Sequence, residues 1–451
     1  MNYVTLLQKQ AREKPDTPYI ILHDRQITYR KACEDVSGFI TTAWKSRFPK
    51  QGKTTVLIRT KDLYHQLMAF LAVMEAGQIP IIGHFDLPEA AEKELVKKNG
   101  IGFILTETER GWQLTQTTGS NTQTPYPEAC MGVLSSGSSD VPKVMYRTYQ
   151  SWGGFIPEQN RKFRIDGDAV VFAEGSFSFT GNLSIWASVL YAGCTLLVSG
   201  QFSCRQWLDM IQRHKASVLY LVPAKLKALA RYLTQECSSV KMILAGSQLL
   251  GSQTAERLKQ YFPESEIILY YGASELDYIT WLDYEEMLRF PESVGKPVPG
   301  VRVWVEDGLI YIDTPYHVEG LEQPCTLHDT GYFNEEGYLI FNGRESDIIN
   351  KGGFKISCTK IENALCSIPQ VAEAVVIPYD DAERGQEAAA FVVCEKDISR
   401  RELRQRLKNI LMQQEMPKKI VLTDKIPLNS RGKPDKEALK KLAVIDVSPS
   451  E

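Results

Sequence analysis

Serines 135, 136, 138 and 139 surround Gly137, and Lys143 follows shortly after, in the run LSSGSSDVPK at residues 134–143. Hydroxyls, the N–H groups of a glycine turn and one ammonium are together the donors that a triphosphate needs. The run is not a Walker loop, because the second glycine and the Lys-Ser/Thr pair are missing. Taken alone, a Ser/Gly-rich surface turn accounts for it better. Five further segments follow it: Tyr271-Gly272-Ala273-Ser274-Glu275, Gly295-Lys296-Pro297-Val298-Pro299-Gly300, Asp329 within LHDTGYF, Gly343-Arg344-Glu345-Ser346-Asp347, and Gly432-Lys433 within IPLNSRGKPDK. They add carboxylate oxygens, arginines and further lysines, groups suited to a hard metal ion, to hydroxyl donors and to anions.

In this order and spacing the six segments resemble the adenylate-forming superfamily of acyl-CoA synthetases, nonribosomal-peptide adenylation domains and firefly luciferase. The resemblance runs from LLQKQAREKPDTPYIILHDRQITY near the start to the Lys433 segment. It implies that a carboxylic acid attacks the α-phosphate of ATP, releasing pyrophosphate, and that the acyl group then passes from AMP to a thiol. Two anions must meet in the first step, so cations and hydrogen-bond donors aimed at the developing charge are the catalytic groups to expect.

The resemblance assigns Ser135, Ser136, Gly137, Ser138, Ser139 and Lys143 to a phosphate loop and Glu275 to Mg²⁺, for which a carboxylate is a suitable hard ligand. Tyr271 and Gly272 match the positions that stack on adenine and admit its ring, with Ser274 beside them. Ala245, Gly246 and Ser247 match the neighbouring adenine wall. Asp329 matches the acceptor of both ribose hydroxyls, although Leu327-His328 stand where Thr-Gly is usual. Arg344 is expected on ribose or phosphate, the alternative being an interdomain salt bridge. Lys433 is expected to bridge the substrate carboxylate and the α-phosphate, with Gly432 allowing a close approach. The Ser-x-x-Lys spelling at 430–433 is discounted, because Gly432 and Pro434 disfavour the helix that such a nucleophile pair needs.

Resembling enzymes withdraw that lysine by rotating the C-terminal domain about a hinge, which falls here near Ser346, where Asp or Lys is usual. The face presented next carries Lys351-Gly352-Gly353-Phe354-Lys355, whose glycines would let a pantetheine arm pass the backbone. Further departures are Asp140 and Val144, each where glycine is usual. A carboxylate beside phosphate is repulsive, so a nucleotide-binding pseudoenzyme stays as an alternative. Thr180 replaces the aspartate that amino-acid-activating relatives keep for the substrate ammonium, and a buried unpaired ammonium is costly. Amino acids are therefore disfavoured. Ser178 stands where His or an aromatic is frequent, and Phe179, Val222 and Gly246 are expected to line a pocket for an apolar acyl or aryl acid. The implied cofactors are ATP, Mg²⁺ and CoA, with the phosphopantetheine of an acyl carrier protein as the other acceptor.

These residues need a scaffold. A chain of 451 residues has a soft prior of about three compact units. From 130 to 275 short β-branched runs (MGVL, VVFA, CTLLV, SVLYLV, KMIL, EIILYY) alternate with helical patterns, which predicts a parallel sheet covered by helices. Pro223 opens the helix PAKLKALARYL. VRVWVEDGLIYID predicts a hairpin turning at Asp307-Gly308, followed by another extended run, GYLIFNG. Beyond Arg344 come the helix TKIENALCSI, the strands EAVVIPY, AAAFVVC and KKIVLTD, and a capping box at Ser399–Glu402. The expected fold is α/β, with a large N-terminal domain of helix-covered sheets (1–344) and a smaller mobile α+β C-terminal domain (345–451).

With 52 Lys plus Arg against 55 Asp plus Glu, the net charge of −3 gives no bulk footprint for nucleic acid or an anionic membrane. None of the nine cysteines forms a Cys-x-x-Cys pair, and neither a signal peptide nor a membrane span is legible. A reduced, cytoplasmic protein is expected.

Overall fold

The computed structural model describes residues 2–23, 25–118, 123–135, 142–246, 249–351, 354–381, 385–394, 396–427 and 434–445. The chain divides into two compact units, the first made of 1–288 with 297–302 and 313–323, the second of the remainder.

Two sheets build the first unit. One runs, in spatial order, through Asp277–Asp283, Glu266–Ala273, Met242–Gly246, Val218–Tyr220, Val170–Glu174, Thr195–Ser199, Pro18–Leu22 and Arg25–Thr28. Its inner strands pair in parallel, and the first and last pairs are antiparallel. Inner strands such as Met242–Gly246 are buried at every position, as continuous apolar runs in parallel sheets should be. MGVL, expected among them, instead belongs to the second sheet. There Met131–Leu134 lies beside Ile79–Ile82 and pairs antiparallel with Val144–Arg147. A four-residue apolar run specifies a strand but not which neighbour it finds.

Helix Thr180–Ala192 ends at Gly193, whose φ of 68° closes it in the left-handed form. Helix Pro223–Tyr232 begins at the proline, as expected. The Val144 departure is absorbed within the sheet: a Cβ on Gly132 would lie 2.9 Å from Val144 Cγ1, so the missing side chain on one strand makes room for the extra one on its partner.

Arg302–Glu306 and Leu309–Asp313, whose residues 303–312 belong to the second unit, form the hairpin, with Asp307 and Gly308 at φ 50° and 79°. Cys325–Phe333 and Leu339–Arg344 continue it as an antiparallel ladder. After a 3₁₀ turn at Glu345–Asp347, Val371–Asp381 and Gly385–Cys394 pair over almost their full lengths. Their alternation decides the packing. Val376, Ala388, Ala390 and Val392 face the helices Cys358–Cys366 and Arg400–Leu407, while Val375, Ile377, Ala389 and Phe391 meet Leu439 and Ala443 of Lys436–Ile445. The capping box at Ser399 and Glu402 is formed in both directions.

Candidate active site

The phosphate-loop run leaves one strand and returns to the next, and its ends are clasped. Ser135 N–H donates to the Lys143 carbonyl at 2.8 Å, and Lys143 N–H donates to Ser135 Oγ at 2.9 Å. Asn99 adds a second tie: its Oδ1 accepts from Val144 N–H and its amide donates to the Pro142 carbonyl. The Lys143 ammonium is exposed and makes no ion pair among the described residues. Ser136, Gly137, Ser138, Ser139 and Asp140, between those ends, lie outside the described residues, as do Ser247, Gly352, Gly353, Gly432 and Lys433.

Strand Glu266–Ala273 carries Tyr271 and Gly272 and turns at Ser274–Leu276 into the antiparallel strand Asp277–Asp283. A register shift falls between Tyr271 and Gly272, and a Cβ on Gly272 would meet the Asp277 carbonyl at 2.5 Å. Only glycine lets the two strands approach at this bulge. The turn is then fastened at three points: Ser274 Oγ bonds Thr180 Oγ1 at 2.8 Å, the Ser274 carbonyl accepts from Arg147 at 2.6 Å, and the Glu275 carbonyl accepts from Val318 N–H at 2.9 Å. The Glu275 carboxylate is half-buried and makes no ion pair among the described residues, which suits a group waiting for a hard cation.

Arg147 was not found by motif reasoning. Its guanidinium is fully buried and donates to the carbonyls of Ser151, Tyr316 and Ser274 while lying over the Trp152 ring. Burial pulls it down to about 10, against the opposing fields of Asp277 and Glu275, so it stays charged at neutral pH. Burial also pushes Asp277 up to about 6, although Arg147 acts to lower it. Arg147 closes the strand that starts just after Lys143, so one buried cation ties the phosphate-loop strand to the Ser274–Glu275 turn. The 127 residues separating Arg147 from Ser274 hide this from any local pattern.

Ser178 sits on a polar chain that the sequence also concealed. His84 Nδ1 and Ser178 Oγ are 2.8 Å apart, Ser178 and Ser176 hydroxyls 2.9 Å, and Gln66 Oε1 accepts from Ser176 Oγ and Phe177 N–H. Phe179 is half exposed, its ring 5.3 Å from that of His84. Gly246 ends its strand against the Tyr270 ring, which a Cβ there would meet at 2.3 Å.

In the second unit, strand register places Asp329 opposite Arg344. Asp329 is 3% exposed, and Arg344 Nε lies 3.3 Å from its Oδ1. His328, within strand Cys325–Phe333, has φ 59°, the left-handed region that glycine enters more readily. Asp347 pairs with Lys436, at the start of the last helix. Lys351 and Glu387 form a buried pair at 2.9 Å, with the ammonium also donating to the Met416 carbonyl.

A family model described as AMP-binding enzyme matches residues 7–320, and its companion, AMP-binding enzyme C-terminal domain, matches 360–433. The chain belongs to the AMP-binding enzyme family. It is an AMP-forming ligase of the acyl-CoA synthetase type. Among curated proteins it is similar to the uncharacterized acyl-CoA ligase YhfT of Bacillus subtilis (strain 168), 27% identical over 96% of each chain. Its fold is like that of o-succinylbenzoate CoA synthetase (MenE) from Bacillus subtilis, solved in complex with the acyl-adenylate intermediate OSB-AMP, at TM-score 0.84, 20% identity and 99% of each chain. It is equally like ATP-bound MatB from Rhodopseudomonas palustris, at TM-score 0.84, 20% identity, 98% of this chain and 99% of that one. Among the described residues no helix is long and apolar enough to cross a membrane, and none of the nine cysteines is in a disulfide.

Proposed function

We propose that this AMP-binding enzyme joins a small-molecule carboxylic acid to the thiol of CoA through an acyl-adenylate, and that the sequence-predicted residues carry out the two steps. In the first, a carboxylate oxygen attacks the α-phosphorus of ATP, the bond to the β-phosphate breaks, and pyrophosphate leaves. In the second, the thiol sulfur attacks the acyl carbon, AMP leaves with the bonding pair, and the thiol proton goes to solvent.

The observation that carries this reading is the double attachment made by Arg147, whose side chain holds the Glu275 turn while its own strand begins at the clasped end of the phosphate loop. The ends of the run, Ser135 and Lys143, and the turn carrying the Glu275 carboxylate are thereby tied to one buried group, and Ser135, Ser136, Gly137, Ser138, Ser139 and Lys143 would supply the triphosphate donors. Mg²⁺, held by Glu275 and the phosphates, would neutralise charge on the leaving pyrophosphate. Tyr271, Gly272, Ser274, Gly246 and Ser247 would hold adenine, and Asp329 with Arg344 the ribose. Lys433 would neutralise the meeting of acid and α-phosphate, and the segment 345–451 would then pivot near Ser346, bringing Gly353 to the thiol. Free cysteines throughout fit a reduced, cytoplasmic setting.

The test is pyrophosphate release from purified enzyme with MgATP and an acid panel, followed by thioester formation with CoA or with a phosphopantetheinyl carrier protein. Release with at least one acid and thioester with CoA alone is the expected result. Thioester only with the carrier protein would move the acceptor to that protein. Nucleotide binding without release for any acid would leave the pseudoenzyme.

A further inference from the structure

The proposed function, with Phe179 and Thr180 expected beside the acid, would direct a long acyl chain inward between helix Thr180–Ala192 and the sheet. That space is filled by three tyrosines. Tyr220 comes from the end of its strand, Tyr270 from the strand that carries Tyr271, and Tyr278 from the strand after the Glu275 turn.

The filling is fitted to its walls. A Cβ on Gly181, in the first turn of the helix, would sit 1.9 Å from the Tyr220 hydroxyl oxygen, and one on Gly246 would sit 2.3 Å from the Tyr270 ring. At both places the glycine's missing side chain is where the tyrosine lies. The two hydroxyls bond each other at 3.0 Å, the Tyr270 and Tyr278 rings stand edge to face at 4.6 Å, and Ser184 on the helix bonds the Tyr278 side chain. Tyr220 is 7% exposed and Tyr278 3%. Burial raises all three phenols above their ordinary range, so they are neutral, and Tyr270 keeps part of its surface exposed. Swinging any ring aside would break a buried hydrogen bond or an aromatic pair and leave a void. The Thr180 and Ser274 hydroxyls bond each other at 2.8 Å at the start of the same helix.

We infer that the Tyr220–Tyr270–Tyr278 cluster closes the acid pocket behind Thr180, so that the enzyme activates short-chain carboxylic acids and excludes long-chain ones. The inference rests on the acid-activating function proposed above, and it narrows the apolar acyl or aryl acid expected from the sequence.

The experiment measures kcat/KM for pyrophosphate release with acetate, propionate, butyrate, octanoate and dodecanoate. The unaltered enzyme should favour butyrate or a shorter acid over octanoate by at least about a hundredfold, as expected where surplus methylenes have no room. Tyr270→Ala should raise the octanoate-to-butyrate ratio at least about tenfold, and Tyr270→Leu, a milder change for the fold, should raise it less. Tyr220→Phe keeps the ring and should hold the ratio near its original value. Melting curves and MgATP affinity report whether each variant is folded. Octanoate or dodecanoate used as well as butyrate by the unaltered enzyme would overturn the inference and leave the acid-activating reading standing. So would an unchanged ratio in a folded Tyr270→Leu enzyme. Absence of release with every acid would remove that reading, and the inference with it.

Discussion

Asp329 combines near-complete burial with an ionised acceptor, a pairing that is unfavourable unless donors reach it. Arg344 supplies an ion pair to Oδ1, and the ribose hydroxyls of a bound nucleotide would supply two donors. Charge-assisted hydrogen bonds are worth about 1.5–3 kcal/mol each, so Asp329→Asn should raise KM for ATP roughly ten- to a hundredfold. Steady-state kinetics with ATP and with dideoxy-ATP lacking both ribose hydroxyls separates this from general damage. The unaltered enzyme should lose affinity for the dideoxy compound, and the variant should lose little more. A further equal loss in the variant would mean that Asp329 does not read the sugar. Asp329 and Glu275 could be named as candidates because a motif contains each, Asp329 within strand Cys325–Phe333 and Glu275 in the turn after strand Glu266–Ala273. Arg147, His84, Tyr220 and Tyr270 could not, since each acts on residues 50 to 127 positions away along the chain.

At the scale of elements, the helix Cys358–Cys366 turns a carboxylate inward. Glu362 accepts from Val376 N–H at 2.8 Å, and burial pushes it up to about 7 from 4.5, with Lys436 acting to lower it and Asp347 to raise it. The raised value means that the folded form keeps a proton which the unfolded chain releases. Stability from this group is therefore full below about pH 4.5, declines as pH rises to about 7, and stays lost above that. Glu362→Gln keeps the acceptor for Val376 and removes the charge. Scanning calorimetry should find the variant melting above the unaltered protein at pH 8 and close to it at pH 4.5. A lower melting point at pH 8 would show that the ionised carboxylate is stabilising there, through Lys436. Element types were largely legible: the strands near 170, 195, 218, 242 and 266, the helix at Pro223, the Asp307-Gly308 hairpin and the Ser399 capping box all formed. Period and turn chemistry fix such features locally. The division of Met131–Leu134 and Val170–Glu174 between two sheets depends on which strands lie beside them, and no local pattern encodes that.

At the scale of the whole molecule, one enzyme must run two reactions whose needs conflict. Adenylation wants a cation between the acid and the α-phosphate, whereas thiolysis wants that place open to a nucleophile. Mounting the cation on a segment that can leave would resolve the conflict, and Lys433, next to Gly432 in the C-terminal part of the sequence, is the residue proposed for that role. The most direct test takes Lys433→Ala through the two half-reactions separately, measuring pyrophosphate release from acid and MgATP, then thioester formation from a supplied acyl-adenylate and CoA. The account predicts that the first falls by at least about a hundredfold, the scale for removing one preorganised charge-stabilising group, while the second stays within about threefold of the unaltered enzyme. Equal loss of both, or adenylation left intact, would contradict it.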